Sequence, residues 1–377
     1  MNIIFLGGED VSARIDISKK LIELGHNVKI IGSQKSDIFN QNNIGYTSFN
    51  LNRELNVFDD IKSIISLRRV LVNIKDDFIV HAFDTKLTIF LPIAAFGLDN
   101  IKVVRTINGM GRLFTKKSID NNFLVIIYKI IQKLIKNKVD FTIFQNTDNY
   151  NYFIRNKLVN KDKSIVIKSS GINLDQYSSD VNKVDEFNLK NKYLNNLKLP
   201  TFILVSRLIK QKGVLNYLEA AKLCHLNGFN FNFLLIGQLD SNKDAIKLES
   251  INKYKEYVNY LGKQTNIKEL LSISDVFVLP TYYSEGVPRV LLEASAMSLA
   301  LLTTNMPGCN DVLLNGRNGL EINIDDSLDL SEKMIQITQD NQVLKKMKIK
   351  STNHVRNFSL EKVTNECLKV YKKIYNK

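Results

Sequence analysis

Residues 276–294 read VFVLPTYYSEGVPRVLLEA, and the reading of this stretch decides the fold. Val276 to Leu279 is a short apolar run of the kind that makes a buried strand. Pro288 suits the first position of a following helix, where no amide hydrogen is needed. Gly286, between the two, lets the backbone approach a ligand closely. The free amides and positive pole of such a helix face whatever sits at the strand end, and a diphosphate is the natural occupant. Glu285 precedes the helix and Glu293 lies about two turns further along it, where a carboxylate can bind both hydroxyls of a ribose. Either glutamate alone reads as a cap or an exposed helix residue. The full string, Ser284 to Ala294, is what carries the ligand reading.

A second string repeats the arrangement. Residues 206–213, SRLIKQKG, follow the strand Phe202 to Val205 and lead into a helix over Lys212 to Leu226. Arg207 offers a planar fork and Lys212 a mobile point charge, both suited to phosphate oxygens. Gly213 opens the helix. Asn232 to Ile236, ending in Gly237, and then Val258 to Leu261 and Leu299 to Thr303 complete this set of strands. An earlier set precedes it at Asn2 to Leu6, Val28 to Ile31, Phe78 to Val80, Lys102 to Thr106 and Phe141 to Phe144, with a helix over Ser12 to Leu24. Strands alternating with helices predict parallel sheets covered on both faces. With 377 residues there is room for two such domains. The polar segment Asp175 to Leu199 reads as their linker. The expectation is therefore an α/β protein of two Rossmann-like domains, 1–180 and 181–357, facing each other across a cleft where such sheets bind ligands. A last helix, Leu360 to Tyr375 within 358–377, is expected to pack back on the N-terminal domain.

Composition narrows the function classes. Hydrophobic residues make up 44% and charged residues 24%, which excludes wholesale disorder. The formal net charge of +14 calls for an anionic partner: nucleic acid, anionic lipid or a phosphorylated substrate. No zinc-finger, helix-turn-helix or aromatic single-strand pattern supports nucleic acid. Cys224, Cys309 and Cys367 lack metal-ligand spacing and fit a reducing compartment as buried thiols. Met1 to Gly8 reads as a strand and turn rather than a signal peptide, and no apolar stretch is long enough to span a membrane.

The two strings resemble the donor-site motifs of the family-4 retaining glycosyltransferases. Leu235-Ile236-Gly237, Leu261-Gly262, the run Ser274 to Pro280, and Pro307-Gly308-Cys309 leading to Asn315 to Gly319 are similar as well. Within that family, Arg105 to Phe114 and Phe144-Gln145-Asn146 resemble the branch that builds capsule and lipid-linked oligosaccharides. The resemblance implies the GT-B fold and assigns Arg207 and Lys212 to the donor diphosphate. It assigns Glu293 to the ribose and Glu285 to the transferred sugar. Gly237, Gly262, Gly286, Val287 and Pro288 belong to the same donor site, and Gly7 and Gly8 would lie beside the diphosphate and acceptor. Many members carry a histidine where this chain has Asn108, which hydrogen-bonds but carries no proton charge. His81, after the strand Phe78 to Val80, is then the histidine available near the site.

The implied reaction moves a sugar, an N-acetylhexosamine or galactose, from a UDP-sugar to a polyprenyl-diphosphate-linked saccharide for capsule, O-antigen or lipopolysaccharide. No cofactor or metal is expected, since a leaving phosphate oxygen can take the acceptor proton. Asp59-Asp60, Asp76-Asp77 and Asp325-Asp326 read as solvated turns or caps. A nucleotide-sugar epimerase of the same architecture, or a catalytically silent partner, is the alternative. Phe123 to Val139 is an apolar helical stretch with Lys129, Lys133 and Lys136 at helical spacing. It reads either as a core helix with solvated lysines or as a helix lying on an anionic membrane surface. The expected location is the cytoplasm, peripheral on the inner face of the cytoplasmic membrane.

Overall fold

The computed structural model describes all residues except 9, 35–36, 53–55, 110–118, 178–182, 241–243, 284–285 and 376–377, with backbone alone for 119–122 and 183–184. The chain forms two compact units, 1–171 with 360–377, and 172–359.

The first unit runs β1 (Asn2–Leu6), α1 (Ile15–Glu23), β2 (Asn27–Gly32), α2 (Asp37–Asn40), β3 (Gly45–Ser48), α3 (Val57–Val72) and β4 (Phe78–Ala82). It continues through α4 (Leu87–Ala94), β5 (Ile101–Ile107), α5 (Ile119–Ile135), β6 (Phe141–Phe144), α6 (Thr147–Arg155) and β7 (Ser164–Val166). Its parallel sheet has the order β3-β2-β1-β4-β5-β6-β7. The second unit begins with α7 (Lys183–Tyr193), β8 (Thr201–Val205), α8 (Val214–Leu226), β9 (Asn232–Ile236), α9 (Leu248–Asn252), β10 (Asn259–Tyr260) and α10 (Ile267–Ser272). It then adds β11 (Val276–Leu279), α11 (Arg289–Ala296), β12 (Ala300–Thr304), α12 (Cys309–Val312), β13 (Gly319–Ile322), α13 (Ser327–Thr338) and α14 (Asn341–Val355). This sheet is also parallel, in the order β10-β9-β8-β11-β12-β13.

The central strands are continuous apolar runs because helices bury both of their faces. Phe277 and Leu279 pack one way, while Val276 and Val278 pack the other. The segment expected as a linker is instead part of the second unit. It holds α7, whose Leu189 and Tyr193 pack against the core beside Leu270 and Leu271. Asp326 caps α13 by accepting from the amides of Leu328 and Asp329, and Asp59 and Asp60 sit in the first turn of α3. Cys224, Cys309 and Cys367 are buried and unbridged.

The last helix, α15 (Leu360–Tyr375), belongs to the first unit. Val363, Cys367, Tyr371 and Ile374 form its apolar stripe, buried with Phe5, Leu21 and Ile30. Tyr371 reaches through this layer to His81, with its hydroxyl 2.6 Å from His81 Nδ1, while His81 Nε2 is 2.7 Å from Thr106 Oγ1. Burial, reinforced by Arg14, holds the imidazole well below its usual value, so it is neutral at pH 7. Unfolding restores an ordinary histidine that binds a proton below about pH 6.5. Stability is therefore unaffected above that value and falls as pH drops below it, by up to about 1.4 kcal/mol per pH unit. Thermal melts between pH 7 and 5 are expected to fall more steeply for the wild type than for His81→Gln; parallel curves would remove His81 as the cause.

Candidate active site

Each sheet has one point where the strand order reverses, and loops there leave a crevice at the carboxyl edge. In the second unit this point lies between β8 and β11, which pair directly through Phe202 with Val276 and Ile203 with Phe277. The two strings singled out in the sequence are the loops that follow these two strands.

Those loops are bonded to one another. The carbonyl of Gln211 accepts from the Tyr282 amide at 2.9 Å and from Thr281 Oγ1 at 3.0 Å. Gly213 adopts φ +69, and a Cβ there would stand 2.1 Å from the carbonyl oxygen of Pro280. Only glycine combines that left-handed backbone with so close an approach. Lys212 precedes the cap of α8 and is only 7% exposed, with Nζ 5.8 Å from the ring centroid of Tyr283. It is therefore not the solvated surface lysine that a turn usually carries. Arg207 lies in the same loop and is exposed.

The 286–288 turn is pressed from a third loop. A Cβ on Gly308, whose φ is +84, would stand 2.0 Å from the Gly286 carbonyl oxygen. Val287 is nearly buried. Pro288 is the N-cap of α11 rather than its first helical residue, because its ψ of 120 is extended. Glu285 and Ser284 lie outside the described residues. Glu293 projects from α11 with its side chain 13% exposed. Its Oε1 accepts from Tyr177 Oη at 2.9 Å and from Arg289 Nε at 3.0 Å. Burial first, then the Glu293 charge, pushes the Tyr177 phenol up to about 12, so it stays a donor. The carboxylate is thus fixed in direction. Gly237 donates its amide to the Gly262 carbonyl at 2.9 Å, and a Cβ on it would meet the Ser206 carbonyl at 2.0 Å. These two glycines hold the strand ends together.

In the first unit the reversal lies between β1 and β4. A pocket of about 110 Å³ opens there, lined by Gly7, Gly8, Asp10 and Arg14 after β1, by Phe83 to Thr85 after β4, and by Asn108 after β5. Asn108 Nδ2 donates to the Phe83 carbonyl at 3.1 Å, while its Oδ1 is buried without a hydrogen-bond partner. That oxygen can accept from a ligand hydroxyl. His81 does not line this pocket. It is 1% exposed, since its side chain points into the layer beneath α15 and hydrogen-bonds there. Its ring packs 4.1 Å from that of Phe83, which does line the pocket. The Arg14 guanidinium lies over the same ring, 4.2 Å from the Phe83 centroid.

The sequence reading missed Arg14, Asp84 and Tyr177. Arg14 stands eight residues beyond the end of β1 and Asp84 two beyond the end of β4, in the loops a switch-point crevice draws on, and that placement was the available signal. Tyr177 fell in the segment read as linker.

Two parallel-sheet units of this kind, with the β8 and β11 loops joined at the carboxyl edge, are the architecture of the GT-B fold. Residues 185–354, which lie within the second unit, match the family model described as glycosyl transferases group 1. It is 29% identical over 323 residues to the N,N'-diacetylbacillosaminyl-diphospho-undecaprenol alpha-1,3-N-acetylgalactosaminyltransferase of Campylobacter jejuni, covering 86% of this chain and 83% of that one. It is 29% identical over 293 residues to the UDP-Gal:alpha-D-GlcNAc-diphosphoundecaprenol alpha-1,3-galactosyltransferase of Escherichia coli, covering 76% and 73%. The crystal structure of a glycosyltransferase from Rickettsia africae superposes with a TM-score of 0.78 at 22% identity, covering 99% of this chain and 98% of that one.

Gly213→Ala is expected to strain the loop junction and lower stability by about 1–3 kcal/mol, the usual range for backbone effects at special positions. Gly228→Ala, at another left-handed glycine where a Cβ meets nothing within 4 Å, is the control for backbone strain alone. Equal losses in denaturant melts would remove the Pro280 contact as a constraint.

Proposed function

We propose that the protein is a retaining glycosyltransferase that moves an N-acetylhexosamine or galactose from a UDP-sugar to a saccharide carried on a polyprenyl diphosphate, in surface-polysaccharide assembly. The observation that carries this reading is the bonded pair of loops that bears Lys212 on one strand end and leads to the fixed Glu293 on the other. A cation beside helix N-termini suits a diphosphate, and a fixed carboxylate one helix further suits a ribose. The names of the two relatives support a lipid-diphosphate acceptor, and the second supports a UDP-linked donor.

In this reaction the bond between the anomeric carbon and the β-phosphate oxygen breaks. Negative charge grows on the UDP while the sugar gains positive character. Lys212 and Arg207, with the amides that open α8 and α11, stabilise charge that develops only in the transition state. The acceptor hydroxyl attacks from the face the leaving group departs, and its proton passes to the departing phosphate oxygen. Products are UDP and a glycoside of unchanged anomeric configuration. Glu285 is assigned to the transferred sugar, and Asn108 Oδ1 to a hydroxyl of sugar or acceptor. No metal enters these steps. The lipid of the acceptor places the work at the inner face of the cytoplasmic membrane, with the protein peripheral to it. Among the described residues no helix is long and apolar enough to cross a membrane.

Titration with UDP-sugars is expected to find one that binds, with affinity reduced at least about tenfold, or 1.4 kcal/mol, in Glu293→Ala. With that donor and a polyprenyl-diphosphate saccharide, NMR of the product should show the donor's anomeric configuration, and turnover should survive EDTA. Binding of no nucleotide sugar would overturn the reading; an inverted product or loss of activity in EDTA would overturn the mechanism.

A further inference from the structure

Helix α5 is apolar on the side that should be polar. At 100° per residue Phe123, Ile127, Ile130 and Leu134 fall within about 60° of one another. That stripe faces away from the protein, with Phe123 64%, Ile130 52% and Leu134 70% exposed. The inward side carries Tyr128, Gln132 and Ile135, and Gln132 Oε1 accepts from the buried Arg105 at 2.7 Å. The core thus takes the more polar face and leaves the more apolar one outside. Tyr128, Gln132 and Ile135 pack inward and Lys133 is exposed, as in a core helix with solvated lysines, but that reading does not account for the exposed apolar stripe. Lys129 and Lys133 instead run along one flank of the exposed apolar stripe.

A neighbouring helix repeats the anomaly. On α3, Val57, Phe58, Ile61 and Ile65 are exposed opposite the buried Ser63, Leu67 and Leu71. α3 packs on α4 and α4 on α5, so the three helices cover one face of the seven-stranded sheet. Scattered exposed apolar residues need no explanation, but two aligned stripes on one helical layer do.

Charge indicates what covers them. The first unit holds thirty Lys and Arg against eighteen Asp and Glu, a net +12 of the chain's +14. The second unit, which bears the donor-type strings, is left with only +2. A surface that combines outward Phe, Ile and Leu with flanking lysines, on a strongly basic unit, is complementary to an anionic bilayer. The basic excess attracts the headgroups, and the stripes enter the acyl boundary.

We infer that the outer face of α3 and α5 is the membrane-docking surface, with α5 lying in the interface of an anionic leaflet. The inference deepens the proposed lipid-linked acceptor and rests on that reading for the occasion of meeting a membrane. Helices of a parallel α/β sheet run antiparallel to its strands, so the first turns of α3 and α5 point toward the edge that holds the Asn108 pocket. Docking along these helices brings that pocket to the membrane surface, where a lipid-linked hydroxyl is presented.

The test is sedimentation of the full-length chain with phosphatidylglycerol-containing vesicles and with phosphatidylcholine vesicles, without donor or acceptor. Binding to the anionic vesicles is expected, weakening with salt. Ile130→Ser with Leu134→Ser should reduce it at least about tenfold, and Lys129→Glu with Lys133→Glu should reduce it similarly. Leu226→Ser, an exposed site on the second unit, should leave it unchanged. Retained UDP binding and melting temperature would show that the variants are folded. Equal partition onto both vesicle types, no binding, or binding undiminished in the α5 variants would overturn the inference. So would a dimer in the wild type that the α5 substitutions dissociate while vesicle binding persists. UDP-sugar titration on the same samples reads the donor site separately, so failure of docking and failure of the transferase reading are told apart.

Discussion

The approach of Gly213 to the carbonyl of Pro280 is the contact on which the second unit's site depends. Two parallel strands lie side by side there, and each must turn into a helix without its loop blocking the other. Any Cβ at Gly213 would occupy the space of that carbonyl, and the backbone there is left-handed as well. With glycine in place, the loops close enough for the Gln211 carbonyl to take two hydrogen bonds from Thr281 and Tyr282. Lys212 is thereby held in a nearly buried position beside Tyr283. The same device recurs one loop further, where Gly308 lets the turn after β12 rest on Gly286. The arrangement of Lys212 and the 286–288 turn is thus a consequence of backbone packing at three adjacent strand ends.

The central strands were legible because parallel sheets leave them no polar face. The apolar runs at β1, β8, β9, β11 and β12 match the expected spans within a residue. Of the four edge strands only β10 was legible, within Val258 to Leu261. β3 reads Gly-Tyr-Thr-Ser and is largely exposed, β7 is three residues, and β13 begins at a glycine. Short edges pair through backbone alone, so their side chains carry little pattern. α7 escaped for a related reason: it is polar nearly all round and is fixed by a few contacts from Leu189 and Tyr193.

At the site, residue type was a better guide than residue orientation. Lys212 and Glu293 are held by neighbours at the positions the strings marked. His81 was drawn to the site by its chemistry, yet it lies within β4 and faces the layer under α15, while Phe83, two residues later and just past the strand end, meets the pocket instead. Tyr177, which orients Glu293, comes from more than a hundred residues earlier in the chain, and no local pattern announces such a partner.

A crystal structure with UDP tests the proposed donor site most directly. The diphosphate is predicted to lie at the Lys212 end of the paired loops, with both ribose hydroxyls on the Glu293 carboxylate. UDP bound elsewhere on the second unit, or bound there with its ribose away from Glu293, would contradict it.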